Sequence, residues 1–524
     1  MGDTVASVEE SGREERGIQA GSEGFRAEVL GVRYEVEWDE DANVTPVGPM
    51  VFLAQYLGAG GLMDRLCEGV PLRYRSPNAP KVRDVLGTAV LSVLQGHSRY
   101  AHASQLRNDR VGARLLGMTR VVSEDSLRRA FGRGEEAEWD AWLRKQERAV
   151  WEPLLAEPYV LDIDSSVKPL YGHQEGAEAG YNPKKPGRPS HNLHTYFIGS
   201  LRLVLGVDVR AGKEHAGGHG MEGLWRILDG LPAACRPDLL RGDIGFGNEK
   251  VMVQAEERDQ AYLFRLRRTA RIRGLLADLE RASGMWSDAG DGWEGCEARL
   301  RLDKWSRERR CVALRRPASR DGRAAAKGAD AEAQPGLGLA EVVASGPDYE
   351  YTVLVTGGTD LPLESLGGLY RDRADCENVF DEIKNQWGWG GYTTRDLQRC
   401  RITARLVALV YNWWNIFARL ARPDRHLEAV TSRPMLLQAV GRLVRTGRRN
   451  ILRLTSTHAR AGDIRLALSR IGRFLHDLGN TAEQLSPERR WAAILTAAFM
   501  KWLRGKPLAP LSEADQWLLP LLTG

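Results

Sequence analysis

Three acidic residues stand where a metal-assisted reaction would need them: Asp164 in YVLDIDSS, Asp243 in DLLRGD, and Glu377 in a polar helical segment further on. Carboxylates gathered at one point repel each other, and a bound divalent cation is the usual physical reason to tolerate them. Hard oxygen ligands suit Mg²⁺ or Mn²⁺, which keep part of their water and bind substrate phosphates at the same time. Two such ions about 3.5–4 Å apart would serve phosphoryl transfer, one activating the attacking oxygen and one stabilising the leaving oxygen. The chain holds 69 acids, so a trio carries weight only through the elements that place it.

Those elements follow from periodicity. YVLDID alternates, with Tyr159, Leu161 and Ile163 on one side and Asp162 and Asp164 on the other. LHTYFIGS and LRLVLGVDV read as two more strands, so closely linked that an antiparallel meander is the simplest arrangement. GMEGLWRILDGL then reads as a helix, DLLRGD as a short buried strand, GNEKVMVQAEER as a helix and AYLFRLR as a strand. The order is βββαβαβ, a ribonuclease-H-like arrangement in which acids gather at strand ends. LESLGGLYRDRADCENVFDEIKNQWG reads as one helix carrying Glu377, followed by the strongly apolar helix TARLVALVYNWWNIFARLA.

The fold expected is therefore α/β: a ribonuclease-H-like mixed sheet with a β-rich insertion, flanked by N-terminal and C-terminal helical regions. Expected boundaries are a disordered acidic lead-in at 1–25, a mostly helical DNA-binding region at 26–158, the first part of the core at 159–269, the insertion at 270–357, the second part of the core at 358–421 and a basic region at 422–524. At 524 residues the chain exceeds one domain of about 150 residues. Ser123, with Glu124 and Asp125 behind it, predicts a capped helix start. That helix carries Arg128, Arg129 and Arg133, so it reads either as part of a helix-turn-helix or as an amphipathic bundle helix.

Charge is segregated along the chain. Residues 1–41 carry 12 acids and four bases, whereas residues 419–476 carry 13 arginines and three acids. Such an arginine excess is a footprint for polyanions, and the hairpin-like GRLVRTGRRNILRLTS puts Arg448 and Arg449 at its turn. No run of about 18 apolar residues occurs, and the acidic N-terminus has no signal-like apolar stretch, so a cytoplasmic protein with no membrane partner is expected. The six cysteines are scattered without a CxxC pair, which argues against a zinc ribbon or a disulfide framework.

The polar helical segment has a spaced signature: Tyr370, Arg373, Glu377 and Lys384, with two, three and six residues between them. It resembles the DDE transposases of bacterial insertion sequences, in the branch marked by a Tyr-Arg-Glu-Lys signature. DIDSSVKPLYGHQEG, GYNPKKPGRPSH and RGDIGFGNE followed by YLFRLRR resemble the family's other motifs, over about residues 159–414. The resemblance implies cut-and-paste DNA transposition: metal-dependent strand cleavage and strand transfer at terminal inverted repeats. Asp164, Asp243 and Glu377 would be catalytic residues and ligands of Mg²⁺ or Mn²⁺, two ions in all.

Partners implied are double-stranded DNA and a second copy in a homodimeric synaptic complex, with no small-molecule substrate. The family pattern of a small residue and then Ser or Thr after the catalytic aspartate selects Asp164 over Asp162, which is left as a structural acid. The signature likewise selects Glu377 over Glu382, read as a surface or DNA-side acid.

Steps of three, four and seven put Tyr370, Arg373, Glu377 and Lys384 on one helix face, so Arg373 and Lys384 are expected to hold phosphates beside the scissile bond and Tyr370 to meet the strand. Lys184, Lys185 and Arg188, in a Pro/Gly turn, are expected to contact phosphates. Trp286, Trp293 and Trp305 lie in the insertion, where the family uses an aromatic residue to hold a flipped base; Trp413 and Trp414 read as core. The pairs His191/His194 and His215/His219 lack a thiolate partner, and no P-loop lysine pattern occurs. Two other readings stay open: a ribonuclease-H-like nuclease that cleaves without joining, and a domesticated, silent DNA-binding protein, which the intact trio disfavours.

Overall fold

The computed structural model describes residues 25–39, 41–182, 184–214, 216–282, 284–317, 341–342, 349–357, 361–481 and 485–508, with the side chains of 25, 216, 341–342, 374–377 and 481 left out. The lead-in, apart from Phe25, lies outside the described residues, as do His215 and residues 318–340 of the insertion, whose RDGRAAAKGADAEAQPGLG reads from sequence as a flexible loop. The chain divides into two compact units, residues 1–43 and 44–524.

The first unit is a hairpin, Phe25–Val29 against Val32–Val36. Its two-residue loop, Leu30 and Gly31, has φ of 52° and 79°, the positive pair that matches the twist of the flanking strands.

The second unit begins with the short strand Val44–Thr45 and then turns helical. Met50–Ala59, Leu62–Cys67, Val82–Leu94, Arg110–Leu115, Glu124–Phe131 and Glu136–Trp151 pack their apolar stripes into the main core. Ser123 caps as expected, its hydroxyl accepting from the Ser126 amide at 3.2 Å. Arg128 and Arg129 pair with Glu124 and Asp125 one turn back on the same helix, which suits the bundle-helix alternative.

The sheet that follows has the expected order of elements. Its five core strands, numbered 1 to 5, are Val160–Pro169, Pro189–Ile198, Leu203–Ala211, Leu239–Gly242 and Tyr262–Arg265. Strand 2 is antiparallel to strands 1 and 3, strand 4 is parallel to strand 1, and strand 5 is parallel to strand 4, giving the lateral order 3-2-1-4-5. Helices Ala216–Leu228 and Glu249–Glu256 make the two crossovers, the second capped by Asn248. The insertion strands continue this sheet rather than forming another: Tyr349–Gly357 pairs antiparallel with strand 5, and Arg309–Pro317 and Glu294–Leu300 follow outward.

Strand 3 would leave an open edge, and the 25-residue helix Leu397–Ala421 closes it. Asn412 donates to the Val204 carbonyl at 2.7 Å and accepts from its amide at 2.9 Å, while Asn415 donates to the Leu201 and Arg202 carbonyls. Trp413 and Trp414 are core, as their apolar surroundings predict. The same helix is tied to Glu136–Trp151 through Arg405, which donates to both oxygens of buried Glu147 and to Asp140. The C-terminal hairpin is present as Gly441–Thr446 and Arg449–Leu454, and it pairs with Val44–Thr45. No helix of the described residues is long and apolar enough to cross a membrane.

Candidate active site

Parallel pairing of strands 1 and 4 aligns Ile163 with Gly242, so Asp164 and Asp243 occupy the next step on neighbouring strands. Asp243 is the first residue past strand 4, and its carboxylate accepts from the Gly245 amide at 2.8 Å, which folds the chain back over the strand end. Asp164 is partly open, with 20% of its side chain exposed, and its oxygen lies 3.7 Å from the Arg373 guanidinium.

Asp162 is in a different situation. Although alternation puts it on the face of Asp164, it is 2% exposed, because that face is covered here as well. Arg241, its register partner on strand 4, meets it in a bidentate pair at 2.5 and 2.9 Å and reaches the Leu369 carbonyl with its remaining arm. Both oxygens of Asp162 are thus committed to holding strands 1 and 4 and the Leu363–Arg371 helix together.

The polar segment expected as one helix is two, Leu363–Arg371 and Ala374–Gln386. Between them Asp372 and Arg373 tighten the backbone to φ and ψ of −59°, −17° and −65°, −26°, with the Arg373 amide bonding three residues back to Tyr370. Tyr370 and Arg373 have different partners on either side of this turn. Tyr370 is 3% exposed, its ring edge-on to Trp293 at 6.0 Å, so the ring expected to meet a DNA strand is packed inside. Arg373, in the break itself, lies 3.7 Å from Asp164. Glu377 occupies the first turn of the second helix, and only its backbone is described.

Lys384, on the last turn of that helix, is half-buried. Burial lowers its pKa, the nearby Lys184 ammonium adds to this, and Asp381 and Asp164 oppose it. Of the basic turn, Lys184 is thus within electrostatic reach of Lys384, as is Asp164.

Several expectations are corrected. Glu382 is not a surface acid: it is 1% exposed and accepts from the Ala429 amide at 3.0 Å, from Trp387 at 3.2 Å and pairs with His426 at 2.7 Å, which anchors the helix Ala429–Leu436. Trp293 and Trp305 are buried at 2% and 6%, leaving Trp286, half-buried between Tyr351 and Arg315, as the partly open tryptophan of the insertion. His191 and His194 are not paired for a metal, since each donates from Nε2 to a backbone carbonyl, of Glu175 and Glu214. Burial holds the His194 imidazole down at about 4, and its neutral Nδ1 accepts from the Ser165 hydroxyl at 2.5 Å, which steadies the residue next to Asp164. Arg448 and Arg449 are exposed at the hairpin turn and pair with no acid among the described residues.

Arg241 and His194 were missed from the sequence. A charge inside a short buried strand such as DLLRGD signals a buried partner, and that signal was available. Among the described residues no group of three or more His, Cys, Asp and Glu side chains is placed to hold a metal ion, and Glu377 is not among those side chains.

No curated protein matches the chain. A cryo-EM structure described as a piggyBac transposase synaptic complex with hairpin DNA is similar at 10% identity over 91% of this chain and 85% of that chain, with a TM-score of 0.33. The span that carries Asp164, Asp243 and Glu377, residues 155–413, matches the model of the family described as Transposase DDE domain.

Proposed function

We propose that this chain is a DDE transposase that moves an insertion sequence by cut-and-paste, cleaving and joining DNA strands at terminal inverted repeats. The observation that carries the reading is the register of strands 1 and 4, which makes Asp164 and Asp243 neighbours within the span matched by the transposase family. The lateral order 3-2-1-4-5 with two parallel crossovers supports a ribonuclease-H-like core.

Asp164, Asp243 and Glu377 would hold Mg²⁺ or Mn²⁺. The fit rests on two hard-oxygen carboxylates on neighbouring strands, Asp164 within strand 1 and Asp243 just past the end of strand 4, the first of them partly open and facing the Arg373 guanidinium. When bound, a pair of such ions supplies an activated oxygen nucleophile and neutralises the leaving oxygen. The chain's own side chains do the positioning. Arg373, Lys384 and Lys184 surround the acids with positive charge and hold phosphates of the strand being cut. The Asp162–Arg241 pair fixes the two strands beneath them, so that in-line geometry is kept. Exposed arginines of the C-terminal hairpin add affinity independent of sequence. The reaction takes place in a dimeric synaptic complex on DNA in a bacterial cytoplasm.

The test is a strand-transfer assay. Purified protein with Mg²⁺ and duplex DNA carrying the element's ends should nick the ends and join them to a target plasmid. Nicking without any joined product would favour a nuclease and sink the proposal.

A further inference from the structure

The loop between strands 1 and 2 carries a cluster that the reaction above does not use. Tyr171 and Tyr181 are 68% and 65% exposed, and among the described residues of the second unit no other aromatic side chain is open to this degree. Lys185 and Arg188 lie 4.9 and 5.0 Å from the centre of the Tyr171 ring, and the Lys185 ammonium donates to the Tyr171 hydroxyl.

The loop that presents them is built rather than loose. Lys185, Pro186, Gly187 and Arg188 close a turn through the Arg188 amide and the Lys185 carbonyl at 3.1 Å, with Gly187 at φ 73°, as a type II turn with Pro then Gly requires. From inside, Asn182 is 5% exposed; it accepts from the Lys185 amide at 3.1 Å and donates to the Arg188 carbonyl at 3.5 Å.

A duplex hides its base faces in the stack and would meet this loop through its cations alone. Open aromatic rings interleaved with cations suit a strand whose bases are unpaired, because every base has a face to stack and a phosphate to neutralise. We propose that this loop is a binding site for unpaired DNA, with bases stacking on Tyr171 and Tyr181 and phosphates held by Lys185 and Arg188. The proposal rests on the DNA-processing reading above and adds to it a preference for single-stranded tails.

Fluorescence anisotropy without divalent metal, so that nothing is cut, compares a blunt duplex with the same duplex bearing a single-stranded tail. The wild-type protein should bind the tailed DNA roughly tenfold more tightly, the range expected for one or two stacked bases. Tyr171→Ala with Tyr181→Ala should abolish that preference and leave blunt-duplex affinity within about twofold. Tyr171→Phe should keep it, since stacking survives the loss of the hydroxyl. The proposal is overturned if the double variant keeps the preference, or if it loses blunt and tailed binding equally, which would make the tyrosines props for the basic turn. Equal binding of both DNAs by the wild type would overturn the proposal and leave the transposase reading standing; no binding of either would remove both.

Discussion

Asp162 and Asp164 differ in what their oxygens are doing, and this separates their expected phenotypes. Asp162→Asn leaves Arg241 buried without its charge partner, a loss of about 3–5 kcal/mol for a broken buried pair. Urea unfolding should therefore show a large drop. Asp164→Asn should unfold within about 1 kcal/mol of wild type, because its contact with Arg373 is long and partly open. An Asp162→Asn protein of wild-type stability would mean that the strand 1 and strand 4 pair is not what holds this region.

Arg373 and Lys384 make the complementary case. Their replacement by Ala should slow single-turnover cleavage by roughly tenfold or more, as expected for charged hydrogen bonds to the strand, with a smaller change in duplex affinity. Melting temperature measured alongside shows whether Arg373 acts through position or through stability: a stable, slow variant supports positioning, and one that cleaves at the wild-type rate removes it. The sequence put Asp162 and Asp164 on one face and could go no further by spacing, since the discriminating partner, Arg241, is 79 residues away. Only the pairing of strands 1 and 4 makes it a neighbour.

The elements were readable where hydrophobic period was strong. All five core strands, both crossover helices, the Ser123 cap and the arginine hairpin were expected at close to their observed places. The break at Asp372 and Arg373 was not, because neither Gly nor Pro marks it and both residues keep near-helical angles; a 3-4-7 count runs straight across it. That the insertion extends the core sheet was also hidden, since pairing between Tyr349–Gly357 and strand 5 spans more than 80 residues.

This junction is pinned by charge, and it has a pH signature. Arg309, nearly fully buried, donates to Glu256 and Glu249 on the second crossover helix. Burial pushes the Glu256 carboxyl up, but Arg309, Arg307 and the Tyr262 hydroxyl outweigh it and hold it at about 2. A depressed carboxyl contributes stability that is present above its unfolded value and lost as pH falls. Wild-type stability should therefore fall between about 4.5 and about 2, and Glu256→Gln should flatten that part of the profile measured by denaturant unfolding. An unchanged slope would show that the pair does not couple to folding.

For the molecule as a whole, part of the arginine excess of residues 419–476 becomes an exposed surface. Arg442, Arg445, Arg448, Arg449 and Arg453 all lie exposed on the C-terminal hairpin. Replacing Arg448 and Arg449 by Ala should reduce the slope of log affinity against log salt on duplex DNA by about 0.9 for every phosphate that is no longer neutralised. A slope that does not move would mean these arginines face solvent in the complex. Composition could indicate this footprint but not its support, because the pairing of the hairpin with Val44–Thr45 joins residues nearly 400 apart.

If Asp164, Asp243 and Glu377 form one metal-dependent reaction centre, removing any of them or the metal must stop the chemistry while the protein still folds and binds. Single-turnover cleavage of end-bearing duplex DNA, with and without Mg²⁺, puts this to the wild type and to Asp164→Asn, Asp243→Asn and Glu377→Gln. The wild type should cleave only with Mg²⁺, and none of the three variants should cleave, although each folds and binds duplex within a few-fold of wild type. Full cleavage by Asp243→Asn, or by the wild type in excess chelator, would show that no such centre exists.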